Sequence, residues 1–284
     1  EHGYLADEGL ATAVFLALEL QRPLLLEGEA GVGKTEVAKV LSRWTGGELL
    51  RLQCYEGIDV GQAVYEWDYS RQLLHLRAAE AAGRAGIVGA DALEAELHDE
   101  RFLVRRPLLR AVTPREGPPP VLLVDEVDRA DDEFEALLLE FLGEQAITIP
   151  ELGTVHATGP VVVVLTSNRS RELHDALRRR CLYHWIEFPD ERQVARILRR
   201  RVPEGSARVA ELAAAGVVRM RDLDLDKPPG LSEAIDWVRV LVALGIEDAA
   251  TTPLARLVPT LGAVAKTVDD RSVLEQALAD GVLS

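Results

Sequence analysis

The apolar positions of this chain fall into short runs whose spacing changes along its length. Residues 6–20 read as a helix, because Leu10, Val14, Leu16 and Leu18 lie in an Ala-rich stretch without proline. Pro23 breaks that pattern, and 24–26 reads as a short buried strand. A Gly-rich loop at 28–35 follows. Residues 35–44 then form a predicted helix with Val37, Val40, Leu41 and Trp44 on one face, ended by Gly46 and Gly47. Residues 49–52 read as a second strand. Gly117 and Pro118–Pro120 form a stiff linker that launches a strand at 121–124. The amphipathic stretch 133–142 reads as a helix. Residues 146–158 alternate and carry Pro150 and Gly153, which predicts a β-hairpin. Residues 161–165 form another apolar strand, 171–180 a helix and 183–188 a last short strand. From Asp190 onward the texture is helical, with candidate helices at 192–201, 208–215, 232–244 and 254–268. The boundary between an α/β part and a helical part is placed near Pro189.

Two stretches stand apart. Tyr55, Tyr65, Trp67 and Tyr69 crowd into 15 residues punctuated by Gly57 and Gly61. They fit either a satellite apolar cluster under a loop or an insert that touches a partner. Residues 79–100 look like an Ala/Glu-rich helical excursion, broken near Gly86 and Gly89.

Composition narrows the function classes. The 284 residues are 48% hydrophobic and 28% charged, enough to bury a core and too apolar for a disordered chain. A formal net charge of −15 disfavours bulk nucleic acid and anionic membrane surfaces. The longest apolar runs fall well short of the roughly 20 residues a membrane helix needs. The chain starts at Glu1 with no signal peptide, which reads as a trimmed start. Two cysteines, Cys54 and Cys181, fit a reducing cytoplasm and small core positions. The histidines, His75, His174 and His184 among them, have no metal-ligand spacing and read as structural. Arg105 and Arg106, before Pro107, read as a solvated basic turn, with an anchor for acidic groups as the alternative.

Four short patterns carry candidate chemistry. Gly28-Glu29-Ala30-Gly31-Val32-Gly33-Lys34-Thr35 fits G-x4-G-K-[ST] between a predicted strand and a predicted helix. The glycines let backbone N–H groups turn toward phosphates, and the helix N-terminus adds positive potential. Lys34 would meet the β- and γ-phosphates, and the Thr35 hydroxyl would ligate Mg²⁺. The strand 121–124 ends in Asp125 and Glu126. Two carboxylates there would hold Mg²⁺ through Asp125 and polarise an attacking water through Glu126 as general base. Asn168, at the end of the next apolar strand, would position that water. Arg178, Arg179 and Arg180 exceed what a helix C-terminus asks for. One of them would reach a neighbouring subunit's nucleotide.

In this order the motifs resemble AAA+ ATPases, and within them the MoxR family. The resemblance rests on GEAGVGKTEVAK (28–39), RFLVRRPLLRAV (101–112), VLLVDEVDRADDEFEALLLEFLGEQAITI (121–149) and VVVVLTSNRSRELHDALRRRC (161–181). QCYEGIDVGQAVYEWDYSRQLLHLR (53–77) is similar to the branch that accompanies molybdenum-containing carbon monoxide dehydrogenase. The resemblance implies an α/β P-loop fold with a parallel central sheet flanked by helices, over 1–189, and a smaller all-α lid over 190–284. It places an insert at 55–80 and the hairpin at 146–158 on a substrate-engaging face. It implies ATP and Mg²⁺ as cofactors, with Gly28 to Glu36 as the nucleotide loop and Tyr4 and Leu5 bordering the adenine. The family pattern favours Arg179 as the finger. A homo-oligomeric ring, usually a hexamer, is implied, working with a von Willebrand factor A domain protein on a client such as a molybdenum enzyme. The alternatives are a nucleic-acid motor subunit of a restriction-type system and an activator of a metabolic enzyme such as Rubisco. One departure stands out. Glu233 occupies the place where such lids carry a nucleotide-sensing arginine, which leaves Arg239 as a substitute.

Overall fold

The computed structural model describes residues 4–81, 95–247 and 252–282. Most of the helical excursion expected at 79–100 lies outside the described residues. The nine strands are β1 (Leu24–Glu27), β2 (Leu49–Gln53), β3 (Tyr65–Trp67), β4 (Leu103–Arg105), β5 (Val121–Asp125), β6 (Ala146–Ile149), β7 (Gly153–His156), β8 (Val162–Ser167) and β9 (Leu182–Trp185) among the described residues. Five of them form a central parallel sheet in the order β2-β5-β8-β1-β9.

The inner strands read as unbroken apolar runs because they are covered on both faces, as parallel strands must be. Every residue of β1 and β5 is buried, and so are five of the six in β8. β2 pairs with β5 so that Leu52 meets Val124 and Gln53 meets Asp125. β5 pairs with β8 so that Val124 meets Leu165. The C-terminal ends of β5 and β8 therefore lie side by side. β6 and β7 form the expected antiparallel hairpin, and β3 pairs with β4.

The chain divides into two compact units. One comprises Ala11–Leu26 and Leu41–His184 and contains the sheet. Its core includes Leu25, Leu50, Leu122, Leu165, Phe134 and Phe141. Trp67 joins that core and Tyr65 packs against it, whereas Tyr55 and Tyr69 are exposed. The other unit groups the described residues up to Leu10, the stretch Glu27–Val40 and everything from Trp185 on. Its core is helical and centres on Leu198, Val217, Met220, Trp237, Leu261 and Leu274.

Most helices begin where a short polar side chain takes a backbone N–H. Asp131 caps Asp132–Glu144, Asp190 caps Glu191–Arg201, and Ser206 caps Ala207–Arg221. Three expected helices differ from the structure, the one expected over 208–215 by running on to Arg221. The one expected over 171–180 spans only Asp175–Arg180. The buried carboxylate of Glu135 accepts the His174 N–H at 2.9 Å and pairs with Arg171. Those residues are thereby held out of the helix. The helix expected over 254–268 is a four-residue turn, Leu254–Leu257, followed by a 3₁₀ segment, Val258–Ala263. Pro259 removes a donor there. The Thr260 hydroxyl accepts from the Trp237 indole at 2.9 Å, which fixes the tighter turn. A separate helix, Val268–Ala279, follows a Thr267 cap. The strand expected over 183–188 closes early, at Trp185.

Candidate functional site

The phosphate-loop residues belong to the unit with the helical core. β1 leads directly into the loop, and the next helix spans Lys34–Thr45. Gly31 and Gly33 take φ values of 81° and 97°, which side-chain-bearing residues avoid. A Cβ on Gly31 would stand 2.8 Å from the Gly230 Cα. The Gly31 carbonyl accepts the Leu231 N–H at 2.9 Å. Both sides of this crossing therefore need glycine. Lys34 is buried, and its ammonium donates to the carbonyls of Gly28 and Glu29, at 2.7 Å each. A cation is thus folded over the loop at a helix N-terminus, an arrangement suited to an anion. Val32 is buried, and Glu29 and Ala30 are exposed. Thr35 is partly exposed, and Glu36 pairs with Lys39 at 3.3 Å and Arg201 at 2.9 Å. Tyr4 lies beside Gly33, its ring 3.8 Å from where a Cβ there would stand. Its phenol is pushed up to about 12, chiefly by burial and then by Asp7 and Glu36. Leu5 is partly buried next to it in the chain.

The acidic pair belongs to the other unit, where β5 ends. Asp125 is 3% exposed. Its Oδ2 accepts from Arg51 Nη2 at 2.7 Å and Nε at 3.1 Å, and its Oδ1 accepts the Thr166 hydroxyl at 2.6 Å. A buried carboxylate is costly unless paired in this way. Glu126 takes a left-handed backbone (φ 54°), and its N–H donates to the same Thr166 oxygen at 2.9 Å. One hydroxyl therefore holds both acidic residues. The backbone turn at Glu126 leaves its side chain 33% exposed, 3.1 Å from Arg129. Asp125 and Glu126 are thus differentiated: one is enclosed and neutralised, the other accessible to solvent. Cys54, beside them at the end of β2, donates its N–H to the Asp125 carbonyl at 2.8 Å. Its thiol is pushed up to about 12, first by burial and then by Asp125, Asp128 and Glu126.

Asn168 follows β8. Its N–H donates to both oxygens of Asp128, at 3.2 Å, and the Ser170 N–H donates to Asp128 Oδ2 at 2.8 Å. Arg178, Arg179 and Arg180 are all exposed. Arg179 lies 3.9 Å from Asp175, with both side chains more than four-fifths exposed, so their attraction is slight in water. Arg22 donates to the carbonyls of Arg179 at 2.8 Å and Arg180 at 3.3 Å, which anchors the end of that short helix.

A family profile described as AAA domain (dynein-related subfamily) matches residues 23–181, more than half of the chain. The chain belongs to this AAA family. No curated protein sequence matches it. Solved structures of RuvB from Thermotoga maritima are similar in fold. The Holliday junction branch migration motor shares 16% identity with this AAA chain over 96% of it and 70% of that protein, with a TM-score of 0.49. A proline-to-glycine mutant gives a TM-score of 0.52 at 16% identity over 90% and 68%. An arginine-to-alanine variant gives 0.51 at 18% identity over 92% and 68%. Identities of this size bear on fold alone, and the fold is the P-loop AAA+ one.

The helical part of this AAA chain accounts for the departure at Glu233. Its carboxylate accepts the Gly230 N–H at 3.1 Å and so caps the helix Leu231–Ala243. Arg239 pairs with Asp236 on the surface at 3.2 Å. Sequence reasoning missed Arg51, Thr166, Asp128 and Arg22, which hold the candidate residues in place. Only Thr166 had a usable signal, since it lies at the end of an apolar run that continues into Asn168.

Proposed function

We propose that this AAA chain binds ATP with Mg²⁺ and hydrolyses it, and that it does so as a MoxR-type chaperone. The observation that carries the reading is the unequal treatment of the two carboxylates after β5. Asp125 is buried and hydrogen-bonded on both oxygens, while Glu126 is turned outward by a left-handed backbone. That difference suits an electrostatic and metal-facing role for Asp125 and a proton-accepting role for Glu126. Lys34 would bind the phosphates, Asn168 would orient the attacking water, and one of Arg178, Arg179 and Arg180 would act from a neighbouring subunit.

Mg²⁺ takes hard oxygen ligands, of the kind that Thr35 and Asp125 each carry in their own unit, and it would neutralise charge on the phosphates. Among the described residues no group of three or more His, Cys, Asp or Glu gathers as a metal site. A cation held mainly by phosphate and water needs no such group.

The same reading divides the chain into an α/β domain over 1–189 and a lid over 190–284, with Tyr4 and Leu5 at the adenine. It includes a cytoplasmic homo-oligomeric ring, a von Willebrand factor A domain partner and a molybdenum-enzyme client. The resemblance of 53–77 and the exposed arginines support these parts. Among the described residues no helix is long and apolar enough to cross a membrane.

The test is phosphate release by the purified chain with ATP and Mg²⁺, beside Glu126→Gln. The variant is expected to bind ATP and to lose turnover by about 100-fold or more. Unchanged turnover removes Glu126 as the base. The same variant, held with ATP in a lysate of the source organism, is expected to retain a von Willebrand factor A protein or a molybdenum-enzyme subunit. Recovery of DNA with a nuclease subunit overturns the chaperone reading.

A further inference from the structure

Asp128 has no part in the hydrolytic scheme above, yet it is one of the most enclosed charged groups in its unit. It is 2% exposed and lies in the 3₁₀ turn Val127–Arg129, two residues after Glu126. A carboxylate in such a place is strongly destabilising unless donors surround it. Here the donors all come from one short segment, the turn that follows β8. They are the Asn168 N–H, the Ser170 N–H and the Ser170 hydroxyl, the last at 2.7 Å. The Ser170 hydroxyl also reaches the Asp128 carbonyl at 3.3 Å. Between the two N–H groups, Arg169 takes a left-handed backbone (φ 58°), rare for a residue with a long side chain. That conformation is what turns the N–H groups of Asn168 and Ser170 toward a single carboxylate. Strain of this kind persists where surrounding contacts impose it.

The segment so held carries Asn168. Its backbone is fixed by Asp128, and its side-chain amide makes no hydrogen bond to the described residues. The carboxylate doing the fixing rides on the turn that begins at Glu126. We infer that Asp128 is a positioning residue: it locks the Asn168 amide in register with the Glu126 carboxylate, so that a water polarised by one is oriented by the other. This rests on the hydrolytic reading and assigns a role that reading leaves open. A misplacement of about 1 Å in such a pair costs on the order of 100-fold in rate, which is the scale of advantage that a rigid link secures.

The experiment is a double-mutant cycle on the full chain, with ATP and Mg²⁺ as substrate. Asp128→Asn keeps the size of the side chain, removes its charge and replaces one acceptor oxygen with a donor. It is expected to lower kcat by about 10-fold or more, with KM for ATP moving by less than about twofold. Asn168→Ala is expected to lose kcat to a similar extent. The double variant should lose little beyond either single one, because both act through the same amide. A purely structural role for Asp128 would instead give losses that multiply, or a KM that rises with the fall in kcat, and either result overturns the inference. Ser170→Ala removes one of the three donors from an exposed position, so it keeps the test available if Asp128→Asn does not fold. Its expected loss in kcat is about threefold, again not additive with Asn168→Ala. If the unsubstituted chain releases no phosphate, the hydrolytic reading fails and this one with it. If the unsubstituted chain turns over and Asp128→Asn matches it, only the positioning role fails.

Discussion

Lys34 and Asp125 are both buried charges, and the chain satisfies them in opposite ways. The Lys34 ammonium donates to two carbonyls of its own loop, five and six residues back. Both of these acceptors are backbone, and they face the cation through the curl that glycines at 31 and 33 allow. Asp125 is instead held by side chains 74 and 41 residues away in sequence, Arg51 on β2 and Thr166 on β8. Those partners meet it only because β2 and β8 flank β5 in register. The first arrangement is local and comes with a motif. The second is a product of the sheet. A local arrangement is robust to changes elsewhere in the fold, and it can release its charge to a ligand without disturbing the core. A non-local one ties the reactive carboxylates to the stability of the unit that carries them.

The sharpest way to break this contrast is to delete each charge. Lys34→Ala is expected to weaken ATP binding by about 100-fold, the scale of losing charge-assisted hydrogen bonds to phosphate. Its unfolding midpoint in urea should move less than that of Asp125→Ala, since the Gly28 and Glu29 carbonyls that lose a partner lie in the same short loop. Asp125→Ala should do the reverse in stability terms, because it strands a buried hydroxyl and leaves Arg51 without its carboxylate. Nucleotide titration and urea denaturation, run on both variants, would check this. A Lys34→Ala protein that unfolds as easily as Asp125→Ala would erase the distinction.

The same contrast explains what could be read from the sequence. The phosphate loop was legible because its donors and acceptors lie within eight consecutive residues. The central strands were legible because β1, β5 and β8 are buried on both faces and so are apolar throughout. Arg51 could not be read as the partner of Asp125. It is an ordinary basic residue in a half-exposed strand until β2 is placed beside β5. Asp128 looked like one more acid in VDRADD, where Asp131 is a helix cap and Asp132 is exposed. Glu135 likewise gave no warning that it would pull Arg171 and His174 out of a helix. Periodicity describes one element at a time, and each of these contacts joins two.

Thr166 offers a smaller, cleaner cut, because Thr166→Val changes almost nothing but a hydroxyl. That hydroxyl donates to Asp125 in a buried bond and accepts from the Glu126 N–H in a partly buried one. Removing it leaves a buried carboxylate oxygen without a donor and a partly buried N–H without an acceptor, at a cost of about 1–3 kcal/mol. The expected outcome is a lower urea midpoint together with turnover reduced by about tenfold, since the left-handed turn at Glu126 loses its tether. Stability that falls without any change in turnover would show that the turn holds its shape unaided, and the link between the carboxylates and the sheet would then be weaker than drawn above.

The weakest effect expected is also the one that reports on the non-local arrangement from outside it. Both thiols are raised from the ordinary value of 9.0 to about 12. For Cys54 burial comes first, and Asp125, Asp128 and Glu126 add to it. For Cys181 burial acts against Arg22 and Arg180, which lower it. A thiol that ionises near 9.0 when unfolded and near 12 when folded favours the folded state fully below pH 9, and that contribution is lost as pH rises from 9 toward 12. At pH 8 neither thiol of the folded chain should react appreciably with iodoacetamide, and both should react once urea unfolds it. Between pH 8.5 and pH 10, about the range where unfolded thiols ionise, the melting temperature should fall less steeply in Cys54→Ala than in the unsubstituted chain. The carboxylates raise the Cys54 thiol only while they stay charged beside it. In Asp125→Asn, Cys54 should therefore become the more readily alkylated thiol as pH rises, with Cys181 unchanged. Equal rates in that variant and in the unsubstituted chain would mean that the Asp125 charge does not act on the Cys54 thiol across from β5 to the end of β2.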